Sequence, residues 1–233
     1  MDPNRHPTVL ALDAAGSACS AALWREGELA ESRFARMEYG HAEALMPMVE
    51  EVMSGTGYDA LDLLCVGIGP GAYTGLRIAI STARGLSLAT SVPAMGIGSF
   101  DVHLRRSRRA GITGPLAVVL ETRRQDVYLA LFDDADAEVG AACVCALEDA
   151  VARIAARGTD THLVGDAVDR FLAASGDRAH VAGAEQVDMD AAWLAEFGAA
   201  RFAAEGAPDA PPRPLYLRAP DTAPPGADRQ RLR

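Results

Sequence analysis

Asp13 closes the apolar run TVLALD at residues 8–13, and the small residues AAGSACSA follow it at once. A carboxylate at a strand end, facing a tight turn, could hold a metal ion or water beside phosphate groups. The turns containing Gly69, Gly71 and Gly75, and the one at 165–167, could offer backbone N–H groups to the same anion. Against this nucleotide reading, Ala14 and Ala15 bring no hydroxyl before Ser17, and a turn carboxylate bonded to nearby amides explains Asp13 equally well. The other catalytic patterns are incomplete. The five histidines, His6, His41, His103, His162 and His180, include no i, i+4 pair on a helix, so a histidine zinc site lacks its framework. GAYTG at 71–75 has the glycine spacing of a nucleophile elbow but places Tyr73 where serine is needed. No lysine occurs anywhere, which excludes P-loop and Schiff-base chemistry. The run RRSRR at 105–109, with Arg123 and Arg124, could touch RNA phosphate, although a solvated charge-rich loop is the commoner source of such a run. The four cysteines match neither a zinc knuckle nor a redox pair and read as small buried hydrophobes.

The glycine turn belongs to a longer pattern. An apolar run at 63–68 precedes it, a helical stretch at 76–89 follows, and Pro93 and Gly96 break the chain beyond, which spells a β-α-β unit. On a helical projection Arg77, Ser81 and Arg84 form a narrow polar stripe. Leu76, Ala79, Ile80, Ala83 and Leu86 form a broad apolar face, and Ile78, Thr82, Gly85 and Ala89 a third face of mostly small residues. A helix on a sheet needs one apolar face, so the second uncharged face implies a second cover, another helix or another chain. A helix at 41–53 gathers Leu45, Met48, Val49, Val52 and Met53 on one side, and its methionines make a surface of the adaptable kind. Pro47 is best tolerated in a first turn, which places the helix start near Ala44.

Three strands joined by tight turns precede that helix, giving the sheet an antiparallel start. Another helix is expected at 98–106, and Gly111 with Gly114 marks a boundary. Beyond it strands are expected at 116–120, 127–132, 138–145 and 161–164, and helices at 150–156, 170–174 and 191–204. The expected organisation is a first lobe at 1–109 bearing the two distinctive helices, a second lobe at 110–207, and a proline-rich tail at 208–233, ordered only around PLYLR at 214–218.

The 233 residues carry a net charge of −10, and all 22 cations are arginine. An acidic chain is poorly suited to gripping nucleic acid alone over a wide surface. No apolar run reaches bilayer length and the first residues lack a secretion-signal shape, so the expected location is the cytoplasm, away from any membrane.

The segments VLALDAAGSACSAAL, HAEALMPMVEEV, GIGPGAYTGLRIAISTARGLSLA with VPAMGIGSF, LETRRQDVYLALF and PLYLR closely resemble the bacterial TsaB (YeaZ) family, over roughly residues 8–218. The resemblance implies an α/β fold of two lobes in the actin-like, sugar kinase and Hsp70 ATPase class, with ribonuclease H-like mixed sheets flanked by helices. It also implies a scaffold role: a non-catalytic subunit of the system that adds threonylcarbamoyl to tRNA adenosine. Such a subunit pairs with a metal-binding catalytic relative, TsaD, and the pair binds the small ATPase TsaE. Where the catalytic relative carries its metal helix, this chain reads GSFDVHL, with Ser99 in place of the first histidine and only His103 left to match the second. The family's opening Asp-Thr-Ser is Asp13-Ala14-Ala15 here, and its Asp-Ala-Arg is Glu121-Thr122-Arg123.

The expectation is then a surface of Leu45, Met48, Val49, Met53, Leu76, Arg77, Ile80, Arg84 and Gly85 that docks on a TsaD-like subunit, or on a second copy when the partner is absent. tRNA is reached through the complex, and no resident cofactor is expected, ATP or ADP entering only at the complex interface. Two rivals are a stand-alone actin-like ATPase working at Asp13 and the glycine turns, and a metallopeptidase, which the histidine spacing opposes.

Overall fold

The computed structural model describes residues 6–218. Its first half runs β1 (Val9–Asp13), β2 (Ala18–Arg25), β3 (Glu28–Arg36), α1 (His41–Val52), β4 (Leu63–Gly69), α2 (Tyr73–Thr90), β5 (Ala94–Gly98) and α3 (Ser99–Arg109). The second half runs β6 (Leu116–Glu121), β7 (Asp126–Phe132), β8 (Cys143–Ala146), α4 (Leu147–Ala155), β9 (Thr161–Gly165), α5 (Val168–Ser175), β10 (Val181–Gln186) and α6 (Ala191–Glu205). Each half builds a five-stranded sheet, ordered β3-β2-β1-β4-β5 and β8-β7-β6-β9-β10. In both, the first three strands form an antiparallel meander and the last two join it in parallel. The halves therefore repeat one topology although their sequences do not visibly repeat.

The central strands read as near-continuous apolar runs, VLALD and LLCVGIG, because helices cover both faces. On one face of the first sheet α1 and α2 lie side by side, and Leu45, Val49, Ile80 and Ala83 meet Leu10, Leu12 and Leu64. The opposite face is closed by α6, whose Leu194, Ala195 and Phe202 pack on Val9, Ala11 and Cys65. Gly198 permits that approach, since a Cβ there would run into the Cys65 sulfur. The second sheet carries α4 and α5 outside, while Phe100 and Leu104 of α3 pack on Leu116 and Val118 at its inner face. The halves thus exchange their last helices: α6 completes the first sandwich and α3 helps complete the second.

Several sequence expectations shift. The first helix begins at His41 rather than Ala44, with Pro47 inside it on the exposed side. Only the bond to the exposed Glu43 carbonyl is lost there, and water can replace it. The RRSRR run is not a loop but the last turns of α3, where cations suit the negative end of the helix dipole. Arg106 pairs with Glu185 at 2.5 Å, Arg108 with Asp136 at 2.6 Å and Arg109 with Glu196 at 2.6 Å. β8 is shorter than its 138–145 expectation, and β10 was not expected, because VAGAEQ has a single branched residue, Val181, and no aromatic to signal a strand. The tail beyond 218, for which disorder is expected, lies outside the described residues.

Two glycines of α2 should respond oppositely to a single methyl. A Cβ on Gly75 would collide with the Ala14 carbonyl oxygen, whereas one on Gly85 meets no atom within 4 Å. Gly75→Ala should lower stability by about 2 kcal/mol or more. Gly85→Ala should raise it by up to roughly 1 kcal/mol through helix propensity. Denaturant midpoints of the two variants check both signs.

Candidate functional site

Asp13, at the end of β1, is fully buried. Its Oδ2 accepts a hydrogen bond from the Ala15 amide at 3.0 Å, and its Oδ1 has no partner. Gly67 lies directly against Oδ1, and the Met189 methyl packs beside that glycine. Burial pushes the Asp13 pKa up to about 7, partly offset by the Ala15 amide and reinforced by the charges of Asp190 and Asp166. Burial likewise raises Asp166 and Asp190. The site is therefore a closed acidic pocket holding a proton near neutrality.

The glycines named with Asp13 are structural in this setting. A Cβ on Gly71 would strike Ala15, and one on Gly75 the Ala14 carbonyl. The Ala72 amide donates to the Ala15 carbonyl at 2.7 Å, so the chain's own peptide fills the space beside the turn. Gly69 takes φ +100°, where side chains are rare, and its hydrogen atoms face Leu76 and the Leu215 carbonyl.

The helix pair presents a different surface. Leu45, Val49 and Leu76 are wholly buried in the chain's own core, and Met53 and Ile80 are nearly so. Met48 is half-buried, while Arg77, Arg84 and Gly85 are exposed. Two large exposed side chains were missed from the sequence, Leu88 at 87% and Tyr39 at 85%. Leu88 was findable: it follows Arg77 by about three helical turns, so the polar stripe ends in a leucine. Tyr73 opens α2, is hydrogen-bonded by Arg77 at 2.6 Å, and stacks on Tyr216 with centroids 5.3 Å apart.

Between these regions lies a cleft of about 720 Å³. The first turns of α1 and α2, the β6–β7 turn and residues 215–218 enclose it. Arg123 crosses from the second half to bond the Gly16 and Glu38 carbonyls, both at 3.0 Å. His103 lies away from the cleft on α3, its Nδ1 2.8 Å from the Ser99 carbonyl and its Nε2 3.4 Å from that of Val187. Among the described residues no group of three or more His, Cys, Asp or Glu is placed to hold a metal ion, and no helix is long and apolar enough to cross a membrane.

A duplicated sheet of this order, with helices exchanged between halves, defines the two-lobed actin-like class. A family model described as TsaD, tRNA N6-adenosine threonylcarbamoyltransferase, matches residues 36–195. The Escherichia coli tRNA threonylcarbamoyladenosine biosynthesis protein TsaB is 35% identical over 125 residues, 52% of this chain and 53% of that protein. An uncharacterized Mycobacterium tuberculosis protein is 33% identical over 161 residues, 66% of this chain and 74% of its own length. A solved Pseudomonas aeruginosa structure described as YeaZ superposes with TM-score 0.74 at 26% identity, covering 91% of this chain and all of that one. The chain belongs to the TsaB (YeaZ) family. It spans about half the length of the first curated relatives it matches.

The Asp13 proton has a measurable signature. The folded pKa of about 7 exceeds the ordinary 3.8, so the folded state holds an extra proton between those values. Wild-type stability should fall as pH rises through that window and level off above it. Asp13→Asn, which cannot ionise, should lose Asp13's share of that slope, keep the share of Asp166 and Asp190, and gain on wild type by about 1.4 kcal/mol per pH unit, approaching roughly 4 kcal/mol above pH 7. Denaturation at pH 4.5, 6 and 7.5 checks the difference.

Proposed function

We propose that this chain is a non-catalytic partner subunit in the formation of threonylcarbamoyladenosine in tRNA, pairing with and activating a TsaD-like threonylcarbamoyltransferase. The relatives named TsaB support the pathway, and the TsaD-like family match supports a partner of related fold. The observation that carries the subunit role is the outer face of α2. Arg77, Ser81, Gly85 and Leu88 face solvent, Ile78 and Thr82 are half-buried, and nothing in the chain lies within 4 Å of a Cβ placed on Gly85. A small-residue strip beside an exposed leucine lets another helix approach closely and bury that leucine. With Met48 of the neighbouring α1, the partner's helix pair would complete a four-helix contact, rimmed by Arg77 and Arg84.

In this reading Leu45, Val49, Met53, Leu76 and Ile80 act from beneath, holding the two helices on the sheet. Activation is conformational: binding selects the active arrangement of the catalytic subunit. A TsaE-like ATPase joins the assembled pair in the cytoplasm, tRNA meets the complex rather than this chain, and a second copy takes the partner's place when it is absent. The sealed Asp13 supports a chain that performs no phosphate chemistry in its own lobes.

Gly85→Trp adds bulk where the chain itself has room, so the variant should fold with an unchanged circular dichroism spectrum. It should fail to co-purify with the TsaD-like protein and should lower threonylcarbamoyladenosine in tRNA by at least about tenfold, a loss of only about 1.4 kcal/mol of pairing energy at limiting concentration. Gly85→Ala should keep both. Normal pairing and modification by the Trp variant would remove α2 from the contact.

A further inference from the structure

Cys19 and Cys65 are buried in the first sheet, whereas Cys143 and Cys145 are only half-buried, and all four thiols are free. The exposed pair lies on β8, CVCA, an edge strand that among the described residues pairs with β7 alone. Cys143 stands opposite Leu129 and Cys145 opposite Val127. Residues two apart in a strand point to one face, and the packing agrees. Both cysteines lie against the apolar cluster beneath α4 and α5, while Val144 between them packs on the other face with Phe100 and Leu104. The Cys145 and Cys143 side chains are hydrogen-bonded to each other. Two sulfurs therefore sit side by side at an open sheet edge.

Their spacing decides what such a pair can hold. Alternate residues of an antiparallel strand have Cα atoms about 6.8 Å apart, at the far limit of what a disulfide spans. An ion bridging two thiolates keeps the sulfurs wider, about 4.6 Å apart at a bond length of about 2.3 Å, which an undistorted strand allows. The number of ligands narrows the choice of ion. Among the described residues no third His, Cys, Asp or Glu is placed to join the pair, and zinc takes four ligands. Thiolates select soft cations, and copper(I) and silver(I) accept two of them. Two thiolates around a monovalent ion leave one negative charge. Arg153 of α4 acts on Cys145 with the opposite sign, against Asp149 of the same helix, and the positive end of α4 begins at Leu147.

We propose that Cys143 and Cys145 form a two-coordinate site for a soft monovalent cation of the copper(I) class. Each sulfur releases its proton to solvent as its bond to the ion forms, and no electron is transferred. The bound ion closes a ring across Val144 and braces β8, which only its pairing with β7 holds in the sheet. The site shares no residue with the outer face of α2, so it stands whether or not α2 docks a partner.

The test is an anaerobic titration of the reduced, ¹⁵N-labelled full chain with silver(I), and separately with copper(I) delivered from a colorimetric chelator. One equivalent should bind and shift the amides of residues 143–146 and of the facing residues 127–129. Cys143→Ser and Cys145→Ser should each weaken uptake at least about hundredfold, because the ion is left with a single thiolate. Zinc(II) at the same concentration should leave residues 143–146 unshifted. The amide map of the unsubstituted chain holds whether or not either variant folds. Uptake unchanged in a folded variant would mean that one thiol suffices, and would overturn the site. So would shifts centred on Cys19 or Cys65, zinc binding as tight as silver, or no saturable shift at β8.

Discussion

The first half of the molecule depends on one contact of backbone against backbone. The Ala14–Ala15 peptide after β1 lies so close to the start of α2 that only glycine fits at positions 71 and 75, and the Ala72 amide bonds the Ala15 carbonyl. This seam fixes the origin and roll of the helix. Once Gly75 sits on Ala14, the helical period turns Leu76, Ala79, Ile80 and Ala83 toward the sheet and leaves Arg77, Ser81, Gly85 and Leu88 outside. The same seam closes the end of β1. Asp13 is left with a single amide donor and with Asp166 and Asp190 as neighbours, and burial keeps it protonated up to about pH 7. A closed acid and an outward-facing helix are two results of one close approach.

Much of this was legible in sequence because it rests on periodicity. The three faces of α2 follow from the spacing of Leu76, Ala79, Ile80 and Ala83, and each of these is buried. What periodicity could not settle was the second uncharged face. Ile78 and Thr82 lie half-covered, while Gly85 and Ala89 are bare, a difference that residue type alone does not signal. The large side chains of α1 show the converse problem. Leu45, Val49 and Met53 look equally suited to a core or a partner, and only the sheet's position shows that the core takes them. The cleft was not legible at all, because its walls come from residues near 40, 73, 123 and 216, which no local pattern joins. His41 reads as one histidine among five until its burial and unpaired Nε2 are known.

The exchange of helices limits how independently the halves can behave. The face of the first sheet opposite α1 and α2 is covered by α6, which arrives only after the whole second half has been made. Without it Val9, Ala11, Leu63 and Cys65 would be open to water, so the surface carried by α1 and α2 is stable only in the complete chain. Polar links follow the same route. Ser17 and Arg36 of the first half both reach Asp188, at 2.8 and 2.6 Å, and the Ala191 amide at the start of α6 bonds Ser20. A change in the relative tilt of the halves would therefore reach the base of α1 through the turns on either side of β2 and β3.

The duplication supplies an internal comparison for α2. The equivalent helix of the second half is α5, eight residues and about 12 Å long, against 18 residues and about 27 Å for α2. Both cover the same position on sheets of five strands, so covering the sheet does not require the longer helix. Within α2 the buried residues end at Ala83, and the last two turns contribute none. One exposed leucine on a protein surface needs no explanation. A leucine next to a bare glycine and alanine, on turns that already extend past the core they serve, is a different arrangement. Apart from Leu86, which packs half-buried against the core, those turns lose backbone entropy with little burial within the chain, and a helix laid against them from another molecule would supply more.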